Sequence, residues 1–347
     1  MKKKPFFSIV IPTYIRQNFL KAAIAITLQQ TFKDFEIIIS NNCSTDNTRE
    51  VVKAFKDKRI RYFENKKNIG AEPNIKRAMS YARGKYIFSL GDDDFILYED
   101  TLEKVKRLID KKHYGFIRIN LIERKFIGKG LQKNILNVEH NIEIKKDTQP
   151  EEIINFIRTI RGDHIAGLVI KNYKGLSSEF FTFPEIPWIK VIYKNTKMYG
   201  AFYIADLYMI ITWSQGVILT HYNPRKDNRF MFEEYTDFVF SIIPKKDISD
   251  YKLRYFQKYI VQQPVIKLYS NNRNLILFNK RLFQLEPRLK QNISFWLFFL
   301  TAFLVPKAIW KLVRVIQHKK RNKLDELKNK EKIFKKFNYL SSKYYTT

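Results

Sequence analysis

Along its first 115 residues the sequence alternates between short runs of β-branched and aromatic residues and longer amphipathic stretches. This alternation limits the fold more than any other feature. FFSIVI (Phe6–Ile11), FEIIIS (Phe35–Ser40), IRYFEN (Ile60–Asn65) and KYIFSL (Lys85–Leu90) read as strands. Between them, Gln17–Gln30, the segment STDNTREVVKAF with Ser44 or Thr45 as its cap, and Pro73–Ala82 followed by Gly84 read as helices. Strands spaced this way pair through right-handed crossovers, which predicts an α/β fold built on a mostly parallel sheet with helices on both faces. In such sheets ligands bind beyond the carboxyl ends of the strands. The loops after Ile11, Ser40, Asn65 and Leu90 are therefore expected to converge on one cleft.

The later chain is less regular. IAGLVI (Ile165–Ile170) is a strand, AFYIADLYMIITW (Ala201–Trp213) holds one or two more, and a helix follows Pro187. Three regions are expected: 1–115 as a ligand-binding half, 116–244 completing the same domain, and 245–347 as a helical, basic extension. Apolar residues make up 45% of the chain and aromatics 15%, enough for a sizeable core. The net charge of +30 calls for an anionic partner. Near the C-terminus, Asn292–Ile316 carries an uncharged run of about fourteen residues, short of the ~20 that span a bilayer. Beyond Pro306, Lys307, Lys311 and Arg314 recur at helical spacing beside Ile309, Trp310, Leu312 and Val313. Either this is an interfacial helix on an anionic leaflet, or it packs on the main domain and leads into a solvated basic tail. The lone Cys43 fits a reducing compartment, and the apolar run of the start, MKKKPFFSIVIPTY, is too short for a signal peptide. A cytoplasmic protein is expected, peripheral on the inner face of the plasma membrane.

SLGDDD (Ser89–Asp94) ends the fourth strand in three adjacent carboxylates, which must be solvated, paired or given a cation. Taken in order, SIVIPTYIR, FEIIISNNCSTDNT, NIGAEPNIKRAMSYARGKYI and LGDDD resemble the N-terminal half of the family 2 glycosyltransferases, which have the GT-A fold. The motifs cover about Ser8 to Asp94 at the family's spacing.

The resemblance implies a Rossmann-like GT-A sheet and a nucleotide-sugar site on Pro12, Thr13, Tyr14, Asn41, Asn42, Gly70, Asn74, Asp92 and Asp93. The Tyr14 ring would flank a nucleobase, or else pack under the sheet end. Asn41 and Asn42 stand where relatives carry a base- or ribose-binding aspartate, though asparagine is also common in turns. Gly70 would allow close approach of a ligand and Asn74 opens the next helix; both are also ordinary at a loop and a helix start. The family's acidic motif implies Mn²⁺ or Mg²⁺ on Asp93 and Asp92, with Asp94 in support. Against the common LDADD form, Gly91 replaces the first aspartate. For the base that deprotonates the acceptor, Glu185 in TFPEIPWIK is the candidate, with Asp163 and His164 in GDHIAG as rivals. His221, Arg225 and Lys226 could approach the diphosphate, or form a surface turn.

Together these features predict an inverting, metal-dependent transferase moving sugar from a nucleotide-sugar donor to a saccharide or lipid-linked glycan acceptor in surface polysaccharide biosynthesis. The anionic membrane surface is the expected partner of the C-terminal region, and no nucleic acid is expected. Three competitors remain: a nucleotidyltransferase, which would need a glycine- and cation-rich triphosphate loop that PTYIRQN does not supply; a basic membrane- or nucleic-acid-binding protein; and a non-catalytic relative.

Overall fold

The structure, a computed structural model, describes residues 4–127, 130–135, 138, 140–162, 164–179, 188–212, 231–245 and 247–313. They fall into two compact units, one within Met1–Trp213 and one within Ser214–Lys335. The first unit begins with β1 (Phe7–Thr13), α1 (Gln17–Leu28), β2 (Phe35–Asn41), α2 (Thr48–Ala54), β3 (Ile60–Glu64), α3 (Ala71–Ser80) and β4 (Tyr86–Ser89). The four strands pair in parallel in the order β3-β2-β1-β4, as the alternation required. Strands β1, β2 and β4 are buried almost throughout, because helices cover both faces. Helix α1 buries Leu20, Ala23, Ile24 and Thr27, a stripe at spacings of three and four.

After the acidic loop come β5 (Phe95–Ile96), α4 (Thr101–Lys112), β6 (Phe116–Ile127), β7 (Gly130–Ile135), β8 (Ile142–Ile144), α5 (Pro150–Thr159), β9 (Leu168–Lys171), α6 (Leu176–Glu179), α7 (Ile189–Tyr199) and β10 (Ala201–Thr212). Strand β9 lies antiparallel between β4 and β6, which returns β6 and its parallel partner β10 to the direction of β1. The result is an α/β fold on a mostly parallel mixed sheet, ordered β3-β2-β1-β4-β9-β6-β10-β5. The segment expected to pair from Ile165 does so only from Leu168, because the chain turns at Ala166 and Gly167. The stretch from Ala201 is one strand with a register shift between Ile204 and Tyr208. Phe7, Ile9, Phe88, Val105, Ile117, Val169 and Met209 belong to one core that runs under this sheet.

A cationic side chain sits inside this apolar frame. Arg118 on β6 is fully buried, and its guanidinium donates to the carbonyls of Ile160, Arg161, His164 and Ala166. It thereby fixes the backbone that leads from α5 into β9.

The second unit is helical, with helices at Met231–Ile242, Ile248–Val261, Gln263–Tyr269, Asn272–Leu285 and Ile293–Leu304. Asn292 caps the last of these by accepting from the Phe295 N–H at 3.0 Å. Phe295 and Ala302 are its buried residues, whereas Ile293, Leu297, Leu300 and Leu304 are exposed. Among the described residues no single helix is long and apolar enough to cross a membrane. Ile293–Leu304 and Lys307–Val313 reach that length only as a pair bent by 111°.

Candidate active site

The carboxyl ends of β1 and β4 lie side by side, and the Leu90 N–H still donates to the Val10 carbonyl at 3.0 Å. This pairing carries the loop Gly91–Asp94 up against Thr13 and Arg16. The Thr13 hydroxyl donates to Asp92 Oδ2 at 2.7 Å. Arg16 Nη1 lies 3.2 Å from Asp92 Oδ1 and 2.6 Å from Asp93 Oδ2, so one guanidinium nitrogen bridges both carboxylates.

Of the three possibilities for the acidic run, pairing therefore holds for Asp92 and Asp93. Asp94 has a different task. It is buried and its Oδ2 turns back to accept from the Gly91 N–H at 3.2 Å. A Cβ at position 91 would run into that oxygen, so the Asp94 carboxylate closes the loop over a glycine. Among the described residues no three His, Cys, Asp or Glu side chains converge on a common point.

Burial, followed by the Asp93 carboxylate, pushes Asp92 up from its usual 3.8 to about 6, against the pull of Arg16 and Thr13. Burial raises Asp93 as well, with Arg16 opposing it. Burial works against the Arg16 charge, but Asp93 and Asp92 together raise it above its ordinary value. Two adjacent all-oxygen donors that hold a cationic nitrogen within 3.2 Å fit a hard divalent cation, whose remaining ligands would be phosphate and water. Asp93 and Asp92 would hold it, with Asp94 shaping the loop behind them.

The other predicted residues line the loops beside this cluster. Pro12 and Thr13 end β1, and the Tyr14 ring is 42% exposed, which removes the alternative that it packs under the sheet. Asn41 and Asn42 are buried and committed to loop structure. Asn41 donates to the Tyr62 hydroxyl at 2.8 Å and accepts from the Ser44 N–H at 3.0 Å and hydroxyl at 2.6 Å. Asn42 donates to Asn68 Oδ1 and the Gly70 carbonyl, and accepts from Asn65 Nδ2 and the Ile69 N–H. That is the full capacity of one amide. Asn74, also buried, accepts from the Ser40 hydroxyl and Asn65 Nδ2 and donates to the Ser40 carbonyl. Gly70 precedes α3 with φ 90°, a conformation that suits glycine. The His164 ring nitrogen Nδ1 accepts from the Ala166 N–H at 3.2 Å. Asp163, Glu185, His221, Arg225 and Lys226 lie outside the described residues.

Residues 8–165 match the family model described as "Glycosyl transferase family 2". Over this part the chain is similar to the family 2 glycosyltransferases. The chain is 34% identical over 142 residues to the GalNAc(5)-diNAcBac-PP-undecaprenol beta-1,3-glucosyltransferase of Campylobacter jejuni, covering 38% of this chain and 45% of that protein. It is 29% identical over 127 residues to the UDP-Glc:alpha-D-GlcNAc-diphosphoundecaprenol beta-1,3-glucosyltransferase WfgD of Escherichia coli, covering 35% of this chain and 50% of that one. The chain thus spans half, or less, of the length of these curated relatives. Among solved structures, S. aureus TarS 1-349 in complex with UDP aligns with a TM-score of 0.49 at 16% identity, over 86% of this chain and 90% of that chain. Among the described residues of this matched part, Arg16 is the residue against the acidic loop that sequence reasoning passed over. Its signal was a cation just past a strand end in PTYIR, in a fold that brings the next parallel strand's acidic loop alongside.

Proposed function

We propose that the chain is an inverting, metal-dependent glycosyltransferase that moves a sugar from a nucleotide-sugar donor to a hydroxyl of a saccharide or lipid-linked glycan in surface polysaccharide biosynthesis. The observation that carries this reading is the Asp92–Asp93 pair at the carboxyl ends of β1 and β4, already shaped around a cation. Mn²⁺ or Mg²⁺ bound there supplies positive charge to the leaving diphosphate. Asp93 and Asp92 hold that position, and the Thr13 hydroxyl fixes the Asp92 carboxylate. The exposed Tyr14 ring flanks the base. Asn41, Asn42, Gly70 and Asn74 act by fixing the loops around the donor. Glu185, with Asp163 as its rival, takes the proton from the acceptor hydroxyl as it attacks the anomeric carbon. With Mn²⁺ and a lipid-linked glycan acceptor, a panel of nucleotide sugars should yield one donor that releases its nucleoside diphosphate. No turnover on any donor would support the non-catalytic alternative.

The same reading places the protein on the inner face of the plasma membrane, through the second unit. Ile293, Leu297, Leu300 and Leu304 stand exposed along one helix, and Ile309 and Leu312 follow beyond the bend beside the exposed Lys307 and Lys311. Apolar side chains flanked by lysines suit an anionic lipid surface. Leu297→Asp combined with Leu300→Asp should lower the fraction sedimenting with phosphatidylglycerol vesicles by about tenfold or more. Unchanged sedimentation, or equal binding to nucleic acid at matched salt, would remove the membrane from this reading.

A further inference from the structure

We infer that Arg16 is a tethered counter-ion that occupies the cation position of the acidic loop, and that a divalent metal must displace it to bind. This rests on the metal-dependent reading above and adds to it a competitor built into the chain. Arg16 is anchored by its backbone immediately before α1, while its side chain is 38% exposed, so the guanidinium can leave the carboxylates without disturbing a strand or helix. Its Nη1 reaches Asp92 Oδ1 and Asp93 Oδ2 together, while Thr13 holds the other Asp92 oxygen, Oδ2. A cation bridging the two aspartates through Asp92 Oδ1 and Asp93 Oδ2 takes the oxygens that Arg16 now holds. Guanidinium and metal would lie well within 4 Å of each other if both stayed, and like charges at that distance repel strongly in a partly buried site. Occupancy is therefore exclusive.

The arrangement also solves a folding problem. Two neighbouring carboxylates, one buried and one nearly so, must be neutralised while the chain folds and whenever metal is absent. Arg16 does this from inside the chain. A displaced guanidinium stays in the same cleft, where it can face the donor's phosphates.

Mn²⁺ binding followed by the electron-spin resonance of the free ion, at a pH well above the carboxylate range and without nucleotide, tests the competition. Arg16→Gln should bind Mn²⁺ about tenfold more tightly than the wild type. Its melting temperature without metal should fall, and the rise on adding Mn²⁺ should exceed that of the wild type. Arg16→Lys keeps the charge but loses the flat fork, and should lie between the two; it also serves if Arg16→Gln does not fold. General structural damage would loosen the metal, so tighter binding is a result that such damage does not produce. Equal or weaker Mn²⁺ binding in the variants overturns the inference and leaves the metal site standing. No Mn²⁺ binding in wild type and variants alike overturns both.

Discussion

Asp93→Ala is expected to lower sugar transfer by about a thousandfold or more and still fold. On the proposed metal role, the variant lacks one of the two carboxylates that would hold the cation, whose charge on the leaving diphosphate would contribute several kcal/mol to the transition state, at about 1.4 kcal/mol per tenfold in rate. The retained fold follows from what surrounds the side chain. Asp93 is the least buried of the three aspartates, and Arg16 keeps Asp92 as a partner when it is gone. Removing Asp93 also takes away the neighbouring charge that helps push Asp92 up, so the remaining carboxylate ionises more readily. Transfer and thermal melting measured on the same preparation decide the matter. Turnover near the wild-type rate would sink the assignment of Asp93 to the metal, and a lost melting transition would show it to be structural.

Arg118→Leu is expected to be the most damaging substitution for stability, at about 3–5 kcal/mol. Leucine fits the apolar frame and removes a buried charge, which by itself is favourable. Four carbonyls, those of Ile160, Arg161, His164 and Ala166, nevertheless lose their donor, and the bonds to Ile160 and Ala166 are fully buried. Arg118→Lys should rescue little, because one ammonium cannot fork to acceptors spread along that backbone. Urea denaturation of the two variants against the wild type gives the answer. A loss below about 1 kcal/mol would mean that the backbone after α5 finds other donors.

Much of the fold was legible because the period of the sequence is a physical constraint. Runs of four to seven apolar residues between helical stripes leave a parallel sheet as the way to bury both faces, and β3-β2-β1-β4 follows. The insertion of β9 antiparallel between β4 and β6 was not legible, since a short apolar strand has the same pattern in either direction. At the site, three consecutive aspartates had to be solvated, paired or given a cation, and the sequence did not say which. Arg16 and Asp92 are separated by 76 positions, and only the pairing of β1 with β4 brings them together. Gly91 looked like a missing ligand and is instead the space into which Asp94 folds. Arg118 in FIRIN looked like an ordinary polar residue of an alternating strand, because nothing local reports that its acceptors lie some forty positions further on.

The amides of Asn42, Asn65 and Asn74 tie the loop after β2 to the loop after β3 and to the start of α3, while Asn41 ties the end of β2 to Tyr62 on β3. Fixing a loose backbone costs about 1–2 kcal/mol per residue, and a ligand that orders its own site loses that much from its affinity. Here the chain has borne that entropy in folding. Donor association should consequently show a small heat-capacity change and little added protection of these loops against amide exchange, the signature of a ligand entering a site that was already set.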